Sequence, residues 1–137
     1  MKIKLIDHGC PPEYYPKRAH PNDAGADVYA LKNYTIMPGA TVSLSLGFGI
    51  ECPAGYAGFI FVRSKLAAAG LDAKLPPIDP GYTGPLHAIL YNSGANSYNV
   101  KRGDRIGQLV LLPVATPDFE ADFEETRGEG AFGSTGA

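Results

Sequence analysis

The cleanest periodicity in the chain runs through Val42, Leu44, Leu46, Phe48 and Ile50, which alternate with Ser43, Ser45, Gly47 and Gly49. Side chains of an extended strand point to opposite faces in turn, so this alternation predicts one long strand with a single buried face. Apolar runs at 2–6, 55–62, 86–91 and 106–112 predict further strands, and Ala24-Gly25-Ala26-Asp27-Val28 places an acid just before another. Turn formers separate them: Pro38 with Gly39, Pro53 with Gly55, Pro80 with Gly81, and the run Asn92, Ser93, Gly94. Many short strands joined by such turns describe an all-β sandwich or jelly roll. One segment breaks the pattern. Residues 64–69, SKLAAA, are helix formers that begin at a residue able to cap and stop at Gly70. Leu66 and Ala67 could make this helix a plug for the core; equally, its first turn could present free N–H groups to an anion.

Composition narrows the picture. A chain of 137 residues that is 45% hydrophobic can bury one sizeable core, and 17 Gly with 12 Pro favour turns over long helices. A net charge of −2 supplies no field to hold a nucleic-acid polymer. The charge is unevenly spread, with six acidic side chains against the single Arg127 in residues 118–137 and a mild basic excess before them. After Pro117 the apolar pattern fades and glycines crowd the last ten positions, so two parts are expected: a β domain over 1–117 and an arm over 118–137 that is mobile unless it folds over something. Cys10 and Cys52 stand far apart, which suggests neither a disulfide framework nor a zinc site. The start of the chain lacks the apolar core of a signal peptide, and no run approaches the roughly 18 apolar residues of a membrane span. A cytoplasmic protein without membrane contact is expected.

Several stretches could carry chemistry. In RGEGAFGST (127–135), backbone N–H groups of a glycine-rich run could curl around phosphate oxygens, with Ser134 and Thr135 adding hydroxyls. Arg127 can grip a terminal phosphate with two parallel hydrogen bonds, and Phe132 offers a flat face to a base. The plain alternative is a Gly-rich tail with an incidental aromatic. Arg63 and Ser64 stand where a strand would meet the short helix; elsewhere such a pair is commonly a salt bridge and a cap. Pro76 to Tyr82 form a rigid turn bearing Asp79, a candidate to orient a hydrolytic water, or simply a turn-capping acid. Gln108 interrupts an apolar strand, and a buried amide there must find partners in the backbone or in a ligand. Asp104 and Arg105 read as a structural ion pair. His8, His20 and His87 show no metal-ligand spacing.

Taken in order, DAGADVYA, VRSKLA, PPIDPGYTG, GDRIGQLV and RGEGAFGSTG resemble the five motifs of the dUTPase family, covering most of the chain from residue 23 to 136. The resemblance implies a distorted jelly roll, a β-clip barrel with one short helix and a mobile C-terminal arm. It implies a homotrimer with active sites between subunits, each closed by a neighbour's arm. The implied reaction is Mg²⁺-assisted hydrolysis of dUTP to dUMP and pyrophosphate. In those terms Asp79 activates the water that attacks the α-phosphate, and Tyr82 packs under the deoxyribose. Arg63, Ser64, Lys65 and Gln108 hold phosphates, Arg127 takes the γ-phosphate, and Phe132 covers the base. Gly133, Ser134 and Thr135 close over the phosphates, and Pro77, Ile78 and His87 complete the substrate-binding set. Mg²⁺ is held mainly by the triphosphate, with Asp27 contributing only through water.

The chain departs from the family pattern at four places. Pro76 replaces a usual Gly before the catalytic Asp, in a hairpin whose backbone reads the uracil edge in relatives; a proline offers a C=O there but no N–H. Ala73 stands for an Asn, Lys65 for a Gly or Ser, and Ala131 for a second Gly. These departures leave every implied catalytic group in place and bear on the base. Three other readings are open beside dUTP hydrolysis. They are a pyrophosphatase of the same fold with another base preference, a deaminase of dCTP, and a binding module without catalysis.

Overall fold

The structure, a computed structural model, describes residues 1–123. Ten strands and one α-helix come in this order: β1 (Leu5–Asp7), β2 (Ala26–Tyr29), β3 (Tyr34–Ile36), β4 (Thr41–Ser45), β5 (Phe48–Ile50), β6 (Tyr56–Val62), α1 (Ser64–Ala68), β7 (Leu71–Lys74), β8 (His87–Asn92), β9 (Tyr98–Val100) and β10 (Arg105–Pro113). All strand pairs are antiparallel and form four small sheets, β1-β5, β2-β10-β6, β3-β9 and β4-β8-β7. No closed barrel runs through the described residues; the sheets instead wrap one shared core. Val28, Ile36, Leu44, Leu46, Phe48, Ile50, Leu90, Val100 and Ile106 meet there with almost no exposure. Each such side chain contributes about 1.5–3 kcal/mol when fully buried. Cys10 and Cys52 are buried as free thiols. Among the described residues, no helix is long and apolar enough to cross a membrane.

The alternation over 42–50 does not form one strand. Gly47 takes φ +72° and breaks it between β4 and β5. In that conformation the chain leaves the extended path at Leu46, and a side chain at 47 would strike the Cys10 backbone at 3.0 Å. Beyond the break Phe48, Gly49 and Ile50 are all buried, so this strand has no solvent face. Three further expectations are corrected. The first strand begins at Leu5, not at residue 2. Arg63, in extended conformation, occupies the N-cap of α1 without a side-chain capping bond, and Ser64 is already helical. The helix does plug the core, but with Leu66 alone, since Ala67 is exposed.

Gly49 admits the loop before β8 to close range. A Cβ there would lie 2.6 Å from the carbonyl oxygens of both Thr83 and Gly84, backbone atoms with little room to move. Replacing Gly49 with Ala should therefore overpack this contact and destabilise the fold by about 1–3 kcal/mol. Urea denaturation reads the change, and a midpoint equal to wild type would show that the segment 83–84 yields freely.

Candidate active site

The sheet β2-β10-β6 gathers three separate sequence segments. Strand β10 lies between the other two, and its Gln108 is paired with Asp27 on β2 and with Phe61 on β6. Directly opposed residues point to the same face, so Asp27 and Gln108 stand side by side. Val62 ends β6 opposite Gly107, and Arg63 follows at once into α1. Gln108 is half-buried rather than buried, so its amide is not forced onto protein partners. Asp27 is 7% exposed, and its Oδ2 lies 3.6 Å from Nη1 of Arg105. The expected pairing of Asp104 with Arg105 is thus corrected. Asp104 is occupied in its own turn, accepting the Lys101 N–H at 2.8 Å, while Arg105 crosses to β2. Beside this sheet a hollow of about 300 Å³ is lined by Arg63, Lys65, Leu66, Tyr98, Gly103, Asp104 and Arg105. Three cationic side chains against one carboxylate make it attractive to anions.

The segment 75–86 builds a second site. It leaves β7, docks on β6 through reciprocal bonds between Ile78 and Gly58 (2.8 and 3.0 Å), and turns at Asp79 to Tyr82, where the Tyr82 N–H donates to the Asp79 carbonyl at 3.2 Å. It returns past His8, whose Nε2 lies 2.8 Å from the Thr83 carbonyl, and is anchored where the Leu86 N–H donates to Phe48 at 2.8 Å. The Tyr82 hydroxyl donates to the Pro85 carbonyl at 2.9 Å, which fixes its ring. Between this segment and the sheet β4-β8-β7 lies a cleft of about 270 Å³, lined by Ile60, Lys74, Pro76, Pro77, Ile78, Asp79, Tyr82, Pro85, Leu86, His87 and Ile89. Its size and largely apolar wall, with a few converging polar groups, suit a small ring-bearing ligand. Asp79 is exposed at its edge and is the one carboxylate among the described lining residues. Buried Cys52 sits close enough to feel it: burial first, and then the Asp79 carboxylate, push the thiol above its usual range, so it stays protonated near neutral pH.

Asp79, Pro77, Ile78, Tyr82 and His87 thus share one cleft. Arg63 and Lys65 line the other hollow, with Ser64 between them in sequence, and Asp27 and Gln108 stand on the adjoining sheet. A single chain does not bring these two groups into one pocket among the described residues. Arg127, Phe132, Gly133, Ser134 and Thr135 lie outside the described residues. Sequence reading missed Lys74, which reaches the cleft from the end of β7. No spacing rule marks it, because only the pairing of β7 with β8 places it there.

No group of three or more His, Cys, Asp or Glu side chains among the described residues could hold a metal ion. Asp27, already shared with Arg105, is a single carboxylate beside the phosphate-attracting hollow. One carboxylate fits a hydrated Mg²⁺ that arrives on a triphosphate, and does not fit a dedicated protein cage.

The dUTPase family profile matches residues 13–136. The chain is 40% identical over 143 residues to the deoxyuridine 5'-triphosphate nucleotidohydrolase of Rhodococcus erythropolis, covering 99% of this chain and 85% of that one. It is 36% identical over 148 residues to the enzyme of the same name from Anaplasma marginale, covering 99% of both. Among solved structures, the Staphylococcus bacteriophage 80alpha dUTPase with dUPNHPP superposes with a TM-score of 0.81 at 23% identity, over 90% of this chain and 89% of that one. A dUTPase from phage phi11 of S. aureus, described with a structural Mg(II) ion, gives 0.79 at 21% identity over 91% and 99%. The fold is the jelly roll of these proteins, and the chain belongs to the dUTPase family.

Proposed function

We propose that this chain is a dUTP diphosphatase in which Asp79 aims water at the α-phosphorus of dUTP. Asp79 takes a proton from the water as its oxygen bonds to phosphorus; the bond from the α-phosphorus to the bridging oxygen breaks, and pyrophosphate departs with that oxygen, leaving dUMP. The observation that carries this reading is the joint position of Asp79 and Tyr82 in a cleft that also holds His87. A fixed aromatic ring beside the carboxylate gives a deoxyribose a floor with no space for a 2′-hydroxyl. The cationic hollow at Arg63 and Lys65, with Ser64 and Gln108 nearby, is suited to the phosphates. A triphosphate-borne Mg²⁺ would supply charge neutralisation when bound, and Asp27 would help to hold it through water.

Cleft and hollow stand apart on one chain, which supports assembly of the site between subunits of a homotrimer. The β domain 1–117 then supplies both faces, and the arm 118–137 from a neighbour, through Arg127, Phe132, Gly133, Ser134 and Thr135, closes over the nucleotide. Two buried free thiols fit a reducing compartment, and the cytoplasm is the proposed location. A deaminase acting on dCTP is less well supported, since it needs a carboxylate aimed at the base and the cleft offers Asp79 alone among its described lining residues.

Asp79→Asn should bind a non-hydrolysable dUTP analogue nearly as wild type while kcat falls by about 10²–10⁴-fold. Turnover close to wild type would remove Asp79 from its role. Truncation after Thr126 should leave a folded trimer by sedimentation and lower kcat/KM by about a hundredfold or more, because closure completes the phosphate grip and excludes water. Full activity in the truncated protein, or a monomer that is fully active, would contradict the shared site.

A further inference from the structure

The cleft that holds Asp79 is poor in backbone donors. Pro76, Pro77 and Pro85 line it without any N–H. The N–H of Ile78 is spent on Gly58, that of Tyr82 on Asp79 and that of Leu86 on Phe48, and the Tyr82 hydroxyl is spent on Pro85. The Asp79 N–H makes none of these bonds, and beside it two side chains on the wall can donate to a base held here: His87 and Lys74. Lys74 pairs with Ile89 across β7 and β8, two residues beyond His87 on the same strand, so all three side chains leave the sheet on one face. Its Nζ rests 5.5 Å from the centre of the Tyr91 ring, on the side of Ile89 away from His87, so the ammonium is committed to no hydrogen bond there and swings toward His87 to meet a ligand in the cleft. Among the described residues Lys74 makes no ion pair, the salt bridge of Arg105 with Asp27 lying elsewhere.

We propose that Lys74 is a specificity-determining residue that donates to the carbonyl oxygen at position 4 of uracil. An ammonium has three donors and no acceptor. Uracil offers it an oxygen at that position, whereas cytosine presents an amino group, itself a donor. Two donors facing each other leave a hydrogen bond unmade, and a site that bonds one partner disfavours its mismatched analogue. Lys74 thus supplies from the strand edge a donor that Pro76 and Pro77 cannot supply from the hairpin. This inference rests on the dUTP reading above and specifies its base selectivity.

The test is the ratio of kcat/KM for dUTP to that for dCTP, measured in wild type and in Lys74→Met. Methionine preserves most of the apolar stem and removes the charge, and the site is exposed, so the melting temperature should hold. The ratio should fall about ten- to a hundredfold, mainly through a higher KM for dUTP, with dCTP changed less than about threefold. A lysine that merely draws in the triphosphate would slow both substrates equally; a ratio equal to wild type, whatever the absolute rates, overturns the proposal. The parent reading fails separately, by a wild-type enzyme that does not prefer dUTP. Selective wild type with an equally selective variant removes Lys74 alone.

Discussion

The central placement of β10 is the constraint on which the rest depends. Its backbone bonds run to β2 on one side and β6 on the other, and this ladder sets Asp27, Gln108 and the approach to Arg63 in one row although up to 81 residues separate them in sequence. Because side chains alternate along a strand, a slip of one residue would turn Gln108 into the core and bring Leu109 out to the face that Asp27 shares. The bulge between Arg105 and Gly107 adjusts this register at the point where Arg105 turns toward Asp27. Pairing geometry, rather than any local propensity, is what brings these residues beside the cationic hollow.

The second half of the site depends on a different device. Residues 75–86 have no sheet of their own, and they are held by a few backbone bonds to β6 and β5 and by the His8 ring against the Thr83 carbonyl. Close approach at Gly49 lets this segment sit against the core instead of over it. Asp79 therefore stands on a clamped loop at the rim, exposed on the isolated chain, while the cationic hollow lies on separate elements. In the proposed homotrimer a second subunit brings the two together, and water is then excluded by assembly instead of by burial within one chain.

The family was more legible in the sequence than the local path of the chain. Order and spacing of five motifs carried the family, and Asp79, Tyr82 and His87 do meet in one cleft. The long alternation at 42–50 misled because period two continues through Gly47, while φ +72° there reverses the path that the pattern alone would extend. Strands β3, β7 and β9 have three or four residues each, too short for any periodicity to register, and they exist because β3 and β9 pair with each other and β8 partners β7. Ser64 has the composition of a cap, yet Arg63 takes that position, since the strand β6 runs directly into the helix. Asp104 and Arg105 are adjacent, and adjacency invites pairing on paper; Asp104 instead closes the turn at Lys101 just before β10, and Arg105, the first residue of that strand, reaches Asp27.

Proline content ties these observations to function. Prolines at 76, 77, 80 and 85 fix φ along the segment that carries Asp79, so less conformational freedom is lost when a nucleotide is bound. The same rings delete backbone donors from the surface that faces the base. Rigidity and hydrogen-bond capacity are thus exchanged within one loop, and the lost donors must come from elements whose positions are equally fixed. The adjoining strands β7 and β8 meet that need: their ladder holds Lys74 and His87 on one face without requiring the loop to move. In the proposed reading, moving recognition from hairpin backbone to strand side chains keeps the site preorganised, and it makes base choice sensitive to single side-chain substitutions that leave Asp79 untouched.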